Sequence, residues 1–339
     1  MARKQTFNLE LGNFICRFGQ QKVLMDLLDE IVLPAFGDEK LVRSYGDTRY
    51  FLYGVTMLNL APKNEDPVIG IMGRIIKDTT LKREQVFKTG RGLIKDQRAL
   101  QSSPSAVFLL ILNNHRLLYV KETKDAPNKE AFGNTILNFL RTKHKDFINK
   151  RKDDLESQYP YERTTKKSLL QEFPKPSLEI IPLTSKDTIE GFVKKYNLLK
   201  TVEIKFKDRN DEHDNDPFFD QVQQRKDLMG SEITSIRHHS KSGLEKDKAI
   251  EEIQEATAHG NQLVSLVGTD SEGDRLAENN EEFQIKKNID PLTGNDEEDA
   301  VNLFNSFKNL INDGIINVPA TKKKVKRKLK AVVDRYLYD

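Results

Sequence analysis

Tryptophan is absent from this 339-residue chain, and cysteine occurs once, at Cys16. Large aromatic anchors must therefore come from 18 Phe and 9 Tyr. One cysteine allows no internal disulfide and no cysteine-based zinc cluster, and the charged opening MARKQTFNLE has no secretory pattern. Both features predict a reducing, cytoplasmic setting. Long apolar runs are also lacking. The longest, AVFLLIL at 106–112, is far short of the roughly 20 residues a spanning helix needs, which excludes a helical membrane protein.

What the chain does have is charge. Hydrophobic residues make up 37% and charged residues 32%, a globular composition with a heavily solvated surface and enough length for two domains. The net charge is +3, yet residues 321–339 carry eight Lys/Arg and two acids, a local +6, so the preceding 320 residues sum to −3. In ATKKKVKRKLKAVVDRYLYD the apolar Val325, Leu329, Val332 and Tyr336 recur at spacings of four, three and four. That spacing predicts an amphipathic helix with a docking stripe rather than a disordered lysine tail.

The periodicities predict an α+β protein of two mixed lobes, with mainly antiparallel sheets, amphipathic helices and a basic C-terminal helix. QKVLMDLLDEIVLPAF reads as an early helix ended by Pro34. TRYFLYGVTMLNL with PVIGIMGRII, and AVFLLIL with RLLYVKE, read as two antiparallel pairs. The second pair turns at Asn113 and Asn114, which tolerate positive φ. From Asn134 a long helix places Leu137, Leu140, His144, Ile148 and Leu155 on one face. YPYERTTKKSLLQEFPKP reads as a linker. Beyond it, SLEIIPL, SKDTIEGFVKKYNLL and TVEIKFK predict a strand–helix–strand crossover. VSLVGTDSEGDRLAE predicts a hairpin, and EEDAVNLFNSFKNLIN a closing helix. The expected division is an N-terminal domain at 1–160, a linker at 161–176, a C-terminal domain at 177–318 and the tail at 319–339.

Three basic segments carry the functional expectation. The first, around TGRGL, contains Lys82, Arg83, Lys88, Arg91, Lys95 and Arg98. The second is a helix face with Arg141, Lys143, Lys145, Lys150, Arg151 and Lys152. The third is the tail, with Lys322, Lys323, Lys324, Lys326, Arg327 and Lys328. Cations that converge on phosphates release counterions and so bind nucleic acid without regard to sequence. The competing reading of any one segment is an ordinary solvated face. No zinc-finger spacing, RNP aromatic pair or clear helix-turn-helix is present, so no base-reading element is expected.

Other clusters favour plain readings. The acidic loop at 208–216 lacks the glycine and terminal glutamate of an EF-hand. TGRGL matches neither the P-loop nor the dinucleotide fingerprint, and no cofactor is expected. His238 and His239, adjacent on a strand, point to opposite faces. Glu203 and Lys205 share a strand face, and with Asp187 they would suit a Mg²⁺-dependent nuclease.

Several stretches resemble RexA-type phage-exclusion proteins of lambdoid prophages and, more loosely, the DNA-binding subunit of the Kiwa defence system. PSAVFLLILNNHRLLYV is similar to that family's strand pair with a leading Pro-Ser. PSLEIIPLTSKDTIEGF followed by TVEIKFK resembles its strand, short helix and charged strand, and VSLVGTDSEGDRLAE its acidic-turn hairpin. The resemblance covers about half of the chain. It implies a two-lobed, homodimeric α+β protein that binds duplex DNA without strong sequence preference. Such a protein acts in antiviral defence with a partner protein, which can be membrane-associated. No catalytic residue is implied. The alternatives are the nuclease and an adaptor whose tail docks a partner or an anionic membrane surface.

Overall fold

The computed structural model describes residues 6–62, 65–159, 161, 165–206, 217–257, 260, 262–318, 321 and 323–337. Strand β1 (Phe7–Phe18) runs through the middle of the main lobe, buried from Leu9 to Cys16. After β2 (Lys22–Val23) comes a 3-10 turn (Leu24–Asp26), a π-helical turn (Leu28–Val32) and α1 (Leu33–Gly37). The early helix expected from QKVLMDLLDEIVLPAF is therefore broken, and Pro34 opens α1 instead of ending a helix. The first helical turn needs no proline N–H, so that position tolerates it. The π turn lets Val32 donate to the Leu27 carbonyl at 3.1 Å.

Strands β3 (Arg43–Tyr45), β4 (Thr48–Asn59) and β5 (Ile69–Lys82) pair antiparallel. Three short strands follow: β6 (Gln85–Lys88), β7 (Gly92–Lys95) and β8 (Ala99–Ser102). Next come β9 (Ser105–Ile111), β10 (Arg116–Lys121), α2 (Lys129–Gln158), α3 (Lys166–Glu172) and β11 (Pro176–Pro182). The main sheet runs β11-β1-β10-β9-β5-β4-β3.

Both of its faces are covered, which explains the unbroken apolar run of β9. Ala106, Phe108 and Leu110 face one core with Phe14, Tyr119 and Phe132. Val107, Leu109 and Ile111 face another with Leu9, Leu303 and Phe307. At the β9–β10 turn the positive φ (54°) belongs to His115 rather than to either asparagine. Asn113 instead ties the turn down: its Oδ1 accepts from Ile69 N at 2.9 Å and its Nδ2 donates to Pro67 O at 2.9 Å.

The second lobe holds α4 (Lys186–Val193), β12 (Leu198–Phe206), α5 (Pro217–Leu228), β13 (Thr234–His239), α6 (Lys246–Thr257), β14 (Gln262–Thr269) and β15 (Arg275–Asn279). Its sheet runs β13-β12-β14-β15, all antiparallel. The chain then returns as β16 (Lys286–Ile289), α7 (Asp296–Asn312) and α8 (Lys323–Tyr336).

The return changes the expected division. β11 pairs with β1 from Phe18 to Gly12, and β16 pairs with the same strand from Glu10 to Phe7. One edge strand of the main sheet is thus interrupted, and the second lobe is inserted into the break. Among the described residues, the core of that lobe draws only on those between Ile189 and Phe283. β11, β16 and α7, expected in a C-terminal domain at 177–318, belong to the main lobe. The expected crossover is absent for the same reason, because β11 and β12 lie in different sheets. The expected linker at 161–176 holds α3, whose Leu169 is buried.

Candidate nucleic-acid interface

The first basic segment is a projecting ribbon. β5 stays paired with β4 only as far as Asp78, beyond which residues 79–82 pair with β8 alone. Arg83 N then donates to Arg98 O, and Asp96 N to Glu84 O, each at 2.9 Å, carrying the pairing on to β6 and β7. The glycines of TGRGL make the turn at the tip. Gly90 and Gly92 have φ of +81° and +68°, values that side chains disfavour.

Charges divide along this arm. At its root Asp96 ion-pairs with Arg83 and lies 3.8 Å from Arg98, while Lys82 meets Asp47 at 3.1 Å. At the tip, residues 85–95 contain Lys88, Arg91 and Lys95 and no acid. None of the three makes an ion pair among the described residues. Phe87 and Leu93 stand directly opposite each other there, 69% and 67% exposed.

The second and third segments meet at the other end of the sheet. The α2 helix buries Leu140, His144 and Ile148 at four-residue intervals, as expected, and extends past β1 where His144 lies against Phe18. Burial and Lys175 push the His144 imidazole below its usual range, against the opposing bond at 2.9 Å from its Nε2 to the Phe173 carbonyl. Arg141, Lys145, Lys150 and Arg151 are exposed without an ion pair among the described residues. Lys143 is held by Asp38 at 2.5 Å and Lys152 by Glu156 at 2.6 Å.

Helix α8 docks Leu329, Val332 and Val333 into the core beneath it. Val333 takes the place expected of Tyr336, which is exposed. Four of its seven cations have carboxylate partners. Lys328 binds Asp26 at 2.6 Å with Lys324 at 3.9 Å from the same carboxylate, Lys326 binds Asp66 at 2.7 Å, and Arg335 pairs with Asp29. Burial raises the Asp26 carboxyl, but Lys328, the Val23 N–H and Lys324 outweigh it and hold the group below the usual carboxylate range. Lys323, Arg327 and Lys330 face solvent without an ion pair among the described residues. Lys322 and the acidic loop at 208–216 lie outside the described residues.

Two of the three segments therefore gather around Asp26, Asp29 and Glu30, in a groove also lined by Lys143, Lys150 and Arg151. The arm does not join them. Asp66, which meets α8, lies just before the start of β5, and the arm leaves from the strand's far end at Thr79, about 33 Å away at roughly 3.3 Å per residue. The convergence expected of the three basic segments is replaced by an arm with an unneutralised tip and a distant patch of mixed sign.

The nuclease constellation is also divided. Glu203 and Lys205 share a face, with Nζ and Oε2 3.8 Å apart. Helix α4, which bears Asp187, packs Ile189 and Val193 against Val202 and Ile204 on the opposite face of the same sheet. Among the described residues no group of three His, Cys, Asp or Glu is placed to hold a metal. His238 bonds Glu252 of α6 at 3.0 Å, and His239 bonds Thr201 of β12 at 2.9 Å, so the two rings point to opposite faces as expected. Burial pushes the Cys16 thiol up to about 12, which leaves it protonated and unreactive. Among the described residues no helix is long and apolar enough to cross a membrane.

Sequence reasoning located all three basic segments but missed the exposed Phe87–Leu93 pair. Its only signal was a V-F-K…L-I-K alternation around a glycine turn. The chain matches no protein-family model and no curated protein.

Proposed function

We propose that this chain is a duplex-DNA-binding protein of low sequence selectivity, acting in the cytoplasm as a homodimeric sensor or effector of prokaryotic antiviral defence, with the β6–β7 arm as its principal DNA contact. The observation that carries this reading is a ribbon tip with three cations, no carboxylate and no ion pair among the described residues. Phosphates are the counter-charge such a tip lacks, and a ribbon of two strands fits a DNA groove. The defence role and the partner protein rest on the resemblance to RexA-type proteins.

The test is a gel-shift titration over several salt concentrations. Binding should weaken linearly in log–log form. The triple substitution Lys88→Ala/Arg91→Ala/Lys95→Ala should reduce the slope by roughly 2 to 3 and weaken all duplexes alike. Lys324→Ala/Lys326→Ala/Lys328→Ala should change it less, because those ammoniums already have carboxylate partners. Salt-independent binding, or a larger effect from the tail, overturns the assignment.

A further inference from the structure

The arm presents more than charge. Register opposes Phe87 to Leu93, and Gln85 to Lys95 on the same face, while Val86 and Ile94 share the other face and are half-buried. Among the large apolar side chains of the described residues, Phe87 and Leu93, with Leu100, are exceeded in exposure by Tyr161, Leu228, Met229 and Tyr45 alone. A two-stranded ribbon is marginal in water, and nothing in the remainder of the described chain shelters this pair. Exposed apolar side chains on a cationic ribbon match the way minor-groove proteins work. Their cations hold the phosphates while an apolar wedge enters a base step, partly unstacks it and bends the duplex.

We infer that Phe87 and Leu93 form a wedge that the arm inserts between base pairs, so that the favoured substrate is duplex DNA with an easily unstacked step, such as a mismatch or a nick. This inference rests on the DNA-binding reading above. Charge selects DNA over a second copy of the same arm. Two tips brought together would oppose only cations, Lys88, Arg91 and Lys95 of each, with no acid between 85 and 95 to offset them. An anionic bilayer supplies phosphates too, but two side chains bury too little apolar surface to anchor a protein there unaided.

The absence of native tryptophan provides a direct probe. In full-length protein carrying Phe87→Trp, the indole is the only one in the chain, and stacking on a base should quench its emission. Duplexes labelled at both ends, intact or with one mismatch or nick, report bending by energy transfer. Expected are quenching, a shorter end-to-end distance and about tenfold tighter binding to the mismatched duplex, the ratio that a saving of roughly 1.4 kcal/mol in unstacking produces. Phe87→Ser/Leu93→Ser should lose the bend and the preference while keeping the salt dependence, since its cations are intact. Phe87→Leu, which keeps an apolar tip, should retain both.

Binding without quenching, bending or mismatch preference overturns the wedge and leaves the DNA-binding reading standing. No binding to any duplex at low salt overturns that reading itself. If the double serine variant instead turns a dimer into a monomer, or loses binding to phosphatidylserine vesicles, while still bending DNA, the pair serves that other surface and the wedge is overturned.

Discussion

Lys129 is 2% exposed at the start of α2, and its ammonium binds Glu10 at 2.8 Å, hydrogen-bonds Gln284 Oε1 and lies 3.5 Å from Glu281. It joins β1, α2 and the root of the inserted lobe. Burial raises the Glu10 carboxyl, yet Lys129, then Lys121 and Lys286, hold it below its usual range. The pair's contribution is therefore complete above an unfolded-state pKa of about 4.3 and is lost as pH falls through the lower folded value. Lys129→Met should cost about 3–5 kcal/mol in urea unfolding by stranding Glu10, and Glu10→Gln added to it should restore most of the loss. His144 acts at milder pH. Its depressed folded pKa means that stability is full above about 6.5 and declines as pH falls through the folded value. Thermal melts of the wild type should fall from about pH 7 to about pH 5, and His144→Gln should flatten that decline. Neither role was legible in advance, because a Lys or His on a helix shows its burial only when the facing strand is known. His144 was at least placed on the right face by its spacing from Leu140 and Ile148.

At the scale of the element, α8 was read correctly as an amphipathic helix, and its period of 3.6 was sufficient for that. The pairing of its cations was not, since the carboxylates that engage Lys326, Lys328 and Arg335, namely Asp66, Asp26 and Asp29, are some 260–306 residues away in the chain. Leu329→Ala should destabilise the protein by about 2–5 kcal/mol and remove hydrogen-exchange protection from residues 323–336. Because Asp26 ionises more readily in the folded state, docking of α8 should hold at neutral pH and loosen only below about pH 4. Strand β1 was missed for a related reason. Its polar residues Glu10 and Asn13 interrupt the apolar pattern, yet both are buried and satisfied, Asn13 by donating to the Gly260 carbonyl at 3.1 Å.

For the whole molecule, the inserted lobe is the main consequence of the topology. Its two ends already touch: Ile285 N donates to Leu183 O at 2.8 Å, and Thr184 bridges Gln284 antiparallel. A variant that joins Thr184 to Gln284 through Asn-Gly should therefore retain a cooperatively folded main lobe, seen as a single thermal transition with native-like circular dichroism. Ending the chain after Pro182 should not. That truncation removes β16 from β1 and takes Leu303, Phe307 and Leu310 off the second core, exposing Leu9, Val107 and Leu109.

The longer helices, the β4–β5, β9–β10 and β14–β15 hairpins and the α+β class were legible locally, because spacing, turn residues and caps act over a few neighbours, whereas β1 and the β6–β7 hairpin were not. So was the placement of cations in three dense runs. Which runs remain free to meet a polyanion was settled by folding alone, since Coulomb attraction depends on distance in space. Packing brought Asp26, Asp29 and Asp66 to the tail and carried Lys88, Arg91 and Lys95 out on a ribbon where none of them ion-pairs with a described carboxylate.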